Sequence, residues 1–199
     1  MNLLAHQLLS QDDPHLSIGN FVADMVKGSQ YKTFEKGIQK GILLHRRIDN
    51  FMDTHPLTLR GTKRLHEVVG KYASVAIDVV FDHFIAANWN EFQDLTLEKF
   101  TLRQYEWLLS YSSIMPARMQ MMLYYMSKEN WLLHYRDMNG IFQALNGMSK
   151  RIKHNIDLTL VIPVVEQYYE LYQQESLEFT HEIQEKVPFW LEEITASLS

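Results

Sequence analysis

The sequence predicts an all-α protein. Apolar residues recur at spacings of three and four through most of the chain, and strand signals are weak. Only 8 Gly and 5 Pro interrupt 199 residues, so elements are long and turns few. A first short helix is expected near residues 2–10, followed by the loop Gln11-Asp12-Asp13-Pro14-His15. Ser17 can cap a second helix, Ile18 to Lys27, stopped by Gly28. Thr33 can cap a third, running from Glu35 to about Met52, because proline disfavours helix at the preceding residue and Thr54-His55-Pro56 closes it. Pro56 suits the first turn of a fourth helix reaching about Lys71. A central helix spans about Ala73 to Asn90. Thr96 or Thr101 opens the next, and Pro116 starts another that reaches about Leu133. Two stretches finish the chain, Met138 to His154 and Asp157 to Leu198, the latter broken or kinked at Pro163 and Pro188. No repeat, low-complexity segment or linker interrupts this pattern. Residues 1–199 are expected to form one single-domain, multi-helix bundle.

Composition limits the functional classes. With 46% hydrophobic and 22% charged residues the chain reads as globular rather than disordered. There is no cysteine, which excludes disulfides and thiolate sites. The start, Met1 to Asp13, lacks a basic leader pattern, and no apolar run approaches a membrane span, so a cytoplasmic protein with no membrane partner is expected. A net charge of −5 argues against nucleic acid. The charge is uneven. Arg46, Arg47, Arg60, Lys63 and Arg64 cluster early, whereas acids from Asp157 to Glu193 dominate the end. The early cluster reads either as a patch for an anionic partner or as a solvated helix face.

Val75 to Ala87 (VAIDVVFDHFIAA) is apolar almost throughout, yet carries Asp78, Asp82 and His83. Asp78 and Asp82 are one helical turn apart on one face. A buried carboxylate must be paired, hydrogen-bonded or metal-bound. Either a divalent metal or catalytic constellation collects these groups, or arginines and backbone donors satisfy them. Three further stretches place metal-competent side chains among apolar ones: His6 after Asn2-Leu3-Leu4-Ala5, Asp24 after Gly19-Asn20-Phe21-Val22-Ala23, and the run holding His45, Asp49, Asp53 and His55. His45 and Asp49 are four apart, as are Asp49 and Asp53. Each has a rival reading: His6 as a hydrogen-bonded core histidine, Asp24 as a partner of Arg46 or Arg47, His55 as a turn residue before Pro56. His66, His134, His154 and His181 are read as surface or core. A mixed His/Asp set suits Mn²⁺, Fe²⁺, Zn²⁺ or Mg²⁺.

Four motifs in order, NLLAH, GNFVAD, the HRRID…D.HP block and DVVFDHFIA..W, resemble the acyl carrier protein phosphodiesterase family over the first ninety residues. The resemblance implies a metal-dependent enzyme, with Mn²⁺ favoured and Mg²⁺ or Fe²⁺ as alternatives, related to the HD phosphohydrolases and therefore of HD-like fold. It implies hydrolysis of the phosphodiester joining 4′-phosphopantetheine to a serine of holo-acyl carrier protein. Two departures stand out. The adjacent His-Asp doublet of HD enzymes is absent, replaced by His45-Arg46-Arg47-Ile48-Asp49 and a reversed Asp82-His83. Gln7-Leu8-Leu9-Ser10 follows His6 where the family often carries a second histidine.

On this resemblance Asp24, His45, Asp78 and Asp82 are expected to hold or orient the metal, with Asp49, His6 and His83 as further ligands or neighbours. His83 is the candidate acid for the departing serine, and Arg46 or Arg47 the phosphate-neutralising cation, with Asp24, His83 and Arg46 taken as catalytic. Arg46, Arg47, Arg60, Lys63 and Arg64 are expected to attract the acidic carrier protein, with the acidic C-terminal region kept away from that contact. The pantetheine arm calls for a groove lined by Leu, Met and aromatic residues; methionines from Met115 to Met126 are read as plain core rather than its lining. Two other functions fit the same residues: a phosphohydrolase acting on a nucleotide, and a catalytically silent helical binder of an acidic partner.

Overall fold

A computed structural model of the chain describes residues 3–152 and 156–198. Asn2 and His154, both named in the sequence reading, lie outside them. Among the described residues the regular structure is α-helix and short 3-10 turns, with no strand. The helices are α1 (Leu3–Leu8), α2 (Pro14–Val22), α3 (Lys36–Thr54), α4 (Pro56–Val69), α5 (Ala73–Ala87), α6 (Leu97–Ser110), α7 (Ala117–Glu129), α8 (Trp131–His134), α9 (Met138–Ser149), α10 (Ile162–Gln167) and α11 (Tyr169–Ser197). No helix among the described residues is long and apolar enough to cross a membrane.

The predicted cap of α2 is corrected. Asp13, not Ser17, accepts the N–H groups of His15 and Leu16, with Pro14 in the first turn. Ser17 is instead buried, with its hydroxyl within hydrogen-bond reach of the Gln7 and Gln104 side chains. The helix also stops at Val22, short of Lys27. Beyond it Arg46 reaches across from α3 and donates to the carbonyls of Val26 and Gly28, both at 2.9 Å. Those carbonyls are therefore drawn to a distant donor, and Gly28 sits at φ +51°, outside helical geometry. Thr33 does not cap α3, since its hydroxyl donates to the Gln30 carbonyl. Pro56 does open α4, where the His55 imidazole accepts from Leu57 N–H at 3.3 Å. Thr96 caps α6. The helix after Pro116 breaks at Asn130, which adopts left-handed backbone at φ 48° before α8 begins. Pro163 lies in the first turn of α10, and α11 continues through Pro188. Proline inside a helix costs about 3 kcal/mol, and burial of Ile183, Val187 and Ile194 around it offsets that cost.

The central position expected of α5 is observed. It packs on α1, α4, α9 and α11. Val79, Val80, Phe81, Phe84 and Ile85 are completely buried. The buried apolar side chains of the other helices join the same continuous core. The contact that positions the functional residues is the α2–α3 pair, the most extensive in the structure. Its two backbones meet at glycines. A Cβ on Gly19 would stand 2.6 Å from the Gly41 Cα, and a Cβ on Gly41 would stand 2.8 Å from the Gly19 Cα and 3.0 Å from the Leu16 Cα. No side chain fits there, and the obstacle is backbone, which cannot rotate aside.

Gly41→Ala is therefore expected to destabilise the protein by about 3 kcal/mol, the upper range for overpacking. Gly147→Ala, whose added methyl meets nothing within 4 Å in α9, should instead be neutral or stabilising by up to about 1 kcal/mol. Urea denaturation of both variants measures this, and equal midpoints would count against the close crossing.

Candidate metal centre

Three elements bring polar groups to one point. The i,i+4 spacing of His45 and Asp49 sets both on one face of α3. The short helix α1 delivers His6 from the other side. The tight turn Ala23–Met25 that follows α2 delivers Asp24. Asp49 Oδ1 lies 3.1 Å from His6 Nε2, and Asp49 Oδ2 lies 3.0 Å from His45 Nε2. Asp24 Oδ1 lies 3.3 Å from the same His45 nitrogen. The two imidazole rings stack with centroids 4.0 Å apart and planes 18° from parallel. Among the described residues, His6, His45 and Asp49 form the group whose ligand atoms all lie within 4.8 Å of one another, an arrangement able to hold a metal ion.

Exposure is graded across the group. His6 and His45 are buried, the Asp49 side chain is 39% exposed and that of Asp24 75%. The site thus opens toward solvent on the carboxylate side. Charge is shared unequally between the stacked rings. Burial and the adjacent His45 push His6 down to about 4, so it is neutral at pH 7. Burial also opposes charge on His45, but hydrogen bonds to Asp24 and Asp49 outweigh it and raise His45 to about 9. Asp49 is raised by burial but carried far below the carboxylate range, chiefly by its bond to His45. Asp24 lies below its usual value, chiefly through its bond to His45. The charged His45 ring therefore sets its Nε2–H between two carboxylates at the middle of the cluster.

A second layer supports the first. Asn20, on α2, places its Oδ1 3.1 Å from His6 Nδ1. Its Nδ2 donates to Ser10 Oγ at 2.9 Å, and the Ser10 hydroxyl donates to the His6 carbonyl at 2.8 Å. Neither Asn20 nor Ser10 stood out in the sequence. The usable signal was a buried amide in the otherwise apolar stretch Ile18 to Ala23.

The other expected site residues are placed as follows. Both Asp82 oxygens are engaged by backbone: Leu4 N–H donates to Oδ2 at 2.9 Å and Ala5 N–H to Oδ1 at 3.0 Å. Asp82 thus caps α1 from a different helix. Burial pushes it up to about 7, against the two donors, which favour the carboxylate. Asp78, one turn earlier, is raised to about 6 by burial, with the negative charges of Asp49 and Asp53 adding to the shift. His83 faces another way, with Nδ1 donating to the Tyr135 carbonyl at 2.8 Å and Nε2 3.4 Å from the Tyr169 hydroxyl. Arg46 spends its guanidinium on the two loop carbonyls beyond Asp24 and lies over the Tyr31 ring. Asp53 is exposed, while His55 joins Glu182 at 3.0 Å.

The acidic C-terminal region is not kept away from the basic patch. The helix α11 packs along α3 and α4, and this sets its acids beside their arginines. Glu193 pairs with Arg47, and Glu175 with both Arg60 and Arg64. Lys63 is exposed. The methionine run divides as its helical spacing requires: Met115, Met119 and Met126 are core, whereas Met121 is exposed. A cleft of about 530 Å³ borders the Ala23–Met25 turn through Met25 and is otherwise lined chiefly by Val22, Val26, Phe34, Ile114 and Met115.

Comparison with known proteins matches residues 1–183 to the family model described as acyl carrier protein phosphodiesterase. The chain belongs to the acyl carrier protein phosphodiesterase family. A relative from Escherichia coli bearing that name is 33% identical over 152 residues, covering 76% of this chain and 79% of the relative. One from Photorhabdus laumondii, also so named, is 28% identical over 170 residues, covering 85% and 86%. No solved structure matches. All four clustered residues, His6, Asp24, His45 and Asp49, fall within the matched span.

The capping role of Asp82 is testable. Asp82→Ala leaves two buried N–H groups without an acceptor and is expected to cost about 2 kcal/mol, Asp82→Asn about half as much. Hydrogen exchange should show protection lost selectively at Leu4 and Ala5. Unchanged exchange there in Asp82→Ala would refute the cap.

Proposed function

We propose that this chain hydrolyses the phosphodiester between 4′-phosphopantetheine and the carrier serine of holo-acyl carrier protein, releasing the apo-protein and 4′-phosphopantetheine, and that it needs a divalent metal to do so. Membership of the family supports the reaction. The observation that carries the metal reading is the convergence of His6 Nε2, His45 Nε2 and the Asp49 carboxylate within one ion's reach. Two imidazoles and a carboxylate, with no thiolate, suit Mn²⁺, Mg²⁺ or Fe²⁺; the family resemblance favours Mn²⁺. Bound there, the ion would act as a Lewis acid on a phosphoryl oxygen.

The chain's own residues supply the rest. His6, His45 and Asp49 hold the ion. Asp24, the most exposed carboxylate of the group and ionised at neutral pH, orients the attacking water and takes its proton. The water oxygen bonds to phosphorus, the bond from phosphorus to the serine oxygen breaks, and the serine oxygen leaves as a hydroxyl, taking a proton from solvent while Asp24 returns its own. Asp82 acts at a distance by holding α1, and so His6, in place. Arg46 likewise fastens the turn that carries Asp24. The cleft bordered by Met25 is an apolar bed for the slender pantetheine arm. Arg60 and Lys63, both exposed, offer positive charge to the acidic carrier. Residues 1–199 would act as one helical domain, in the cytoplasm.

An intact-mass assay tests the reaction. The protein should remove the phosphopantetheine mass from holo-carrier with Mn²⁺ but not with chelator. His45→Ala and Asp49→Ala should lose at least about 100-fold in rate while remaining folded. Turnover of free nucleotides in place of the carrier, or full activity in chelator, would overturn the proposal.

The charge on His45 makes a separate prediction. An imidazole must be neutral to bind a metal, so binding expels one proton from His45, which is raised to about 9. His6 is already neutral and releases none. Calorimetry in buffers of different ionisation enthalpy should report about one proton released per Mn²⁺ at pH 7. Affinity should rise with pH until about 9 and then level off. No proton release at pH 7 would show that His45 is not both charged at rest and a ligand.

A further inference from the structure

We infer that Asn20, backed by Ser10, is a positioning residue that fixes the tautomer of His6. The inference rests on the metal reading above only for its consequence, not for its geometry. The Ser10 hydroxyl has one proton, and it is given to the His6 carbonyl at 2.8 Å. Ser10 Oγ can therefore meet Asn20 only as an acceptor, which requires the Asn20 NH₂ on that side, at 2.9 Å. The Asn20 carbonyl oxygen is then left facing His6 Nδ1 at 3.1 Å. An oxygen acceptor there requires a proton on Nδ1. Turning the amide over would set two lone pairs against each other at Ser10 or sacrifice its bond to the His6 carbonyl. Among Ser10, Asn20 and His6 the observed orientation makes three hydrogen bonds and the reversed one makes two. All three residues are at most 2% exposed, so water does not substitute for a lost partner.

The consequence lies at the opposite nitrogen. In the neutral ring that burial favours, a proton on Nδ1 leaves Nε2 as a bare lone pair. That lone pair stands 3.1 Å from Asp49 Oδ1, itself an acceptor. Two acceptors at this distance repel unless a positive charge lies between them. Without Asn20 the proton would move to Nε2 and satisfy Asp49 directly, closing the site. The relay from Ser10 through Asn20 to His6 therefore keeps the site receptive to a cation. Outer partners of this kind typically change metal affinity by about 10- to 100-fold.

The test begins with the metal-free protein. Long-range proton–nitrogen correlation of the histidine rings should show His6 protonated on Nδ1 and bare on Nε2. Asn20→Asp retains an acceptor toward Nδ1 and should keep that tautomer, whereas Asn20→Leu, of similar volume without one, should shift the proton to Nε2. Mn²⁺ affinity by calorimetry should fall about 10- to 100-fold in Asn20→Leu and much less in Asn20→Asp. Ser10→Ala, which frees the amide to turn, should give a mixed tautomer and an intermediate loss. A proton on Nε2 in the unmodified protein would overturn the inference, with no variant needed. An unchanged tautomer in a folded Asn20→Leu would do the same. Failure of the unmodified protein to bind Mn²⁺ would instead overturn the metal reading and leave the tautomer measurement to decide this inference separately.

Discussion

Two helix backbones in direct contact at Gly19 and Gly41 govern the rest of the structure. Because no side chain separates α2 from α3 there, residues one turn beyond the crossing are brought close as well. Asn20 follows Gly19 directly, and His45 follows Gly41 by four residues on the same helix. The close approach thus sets the layer behind His6 and the α3 face carrying His45 and Asp49 at a single separation. Metal-competent groups must be positioned to within about half an ångström to be useful. A glycine contact provides that precision better than a side-chain interface, since it has no rotamers to adjust.

Buried polar groups are costly, and this protein concentrates them. His6, Ser10, Asn20, His45 and Asp82 all lie in or against a core otherwise made of Leu, Ile, Val and Phe. The solution is near-complete pairing. Each oxygen of Asp82 has a backbone donor, Asn20 is satisfied at both ends, and Asp49 Oδ2 meets the charged His45. One exception is His45 Nδ1, which is buried without a hydrogen-bond partner. The charged ring therefore engages the carboxylates through Nε2–H alone. A site closed by one shared proton at rest is a site that a cation can enter by exchange, with little rearrangement of the walls.

Chemically similar residues end up with different tasks according to the element that presents them. Asp49 and Asp82 are both aspartates on helices, each one turn from another polar group of the expected constellation. The first faces two imidazoles and becomes part of the candidate centre. The second faces the start of α1 and becomes its cap. Arg46 and Arg64 also diverge: one binds loop carbonyls, the other Glu175 and the Tyr172 ring. The arginines of the basic patch are partly neutralised by α11, which leaves Arg60 and Lys63 as its more accessible charges. Docking of an acidic carrier on this face would compete with Glu175 and Glu193 for the same cations.

Much was determined by the sequence itself. Helical periodicity decided the all-α class, proline placed the α3–α4 junction and the start of α7, and the burial of α5 followed from its nearly unbroken apolar run. The i,i+4 spacing of His45 and Asp49 already put them on one face, and four ordered motifs pointed to the family. These features are local, written within one or two helical turns. What the tertiary structure alone decided is which polar groups meet. Whether Asp82 turns toward a metal or toward Leu4 and Ala5 depends on where α1 docks, 78 residues away in sequence. The early end of α2 depends on Arg46 reaching it from α3. The pairing of the acidic C-terminus with the basic patch depends on α11 lying across α3 and α4. Asn20 gained its role only when Ser10 and His6 arrived beside it. Spacing along one helix fixes a direction, but a site made from three elements exists only where their packing brings those directions together.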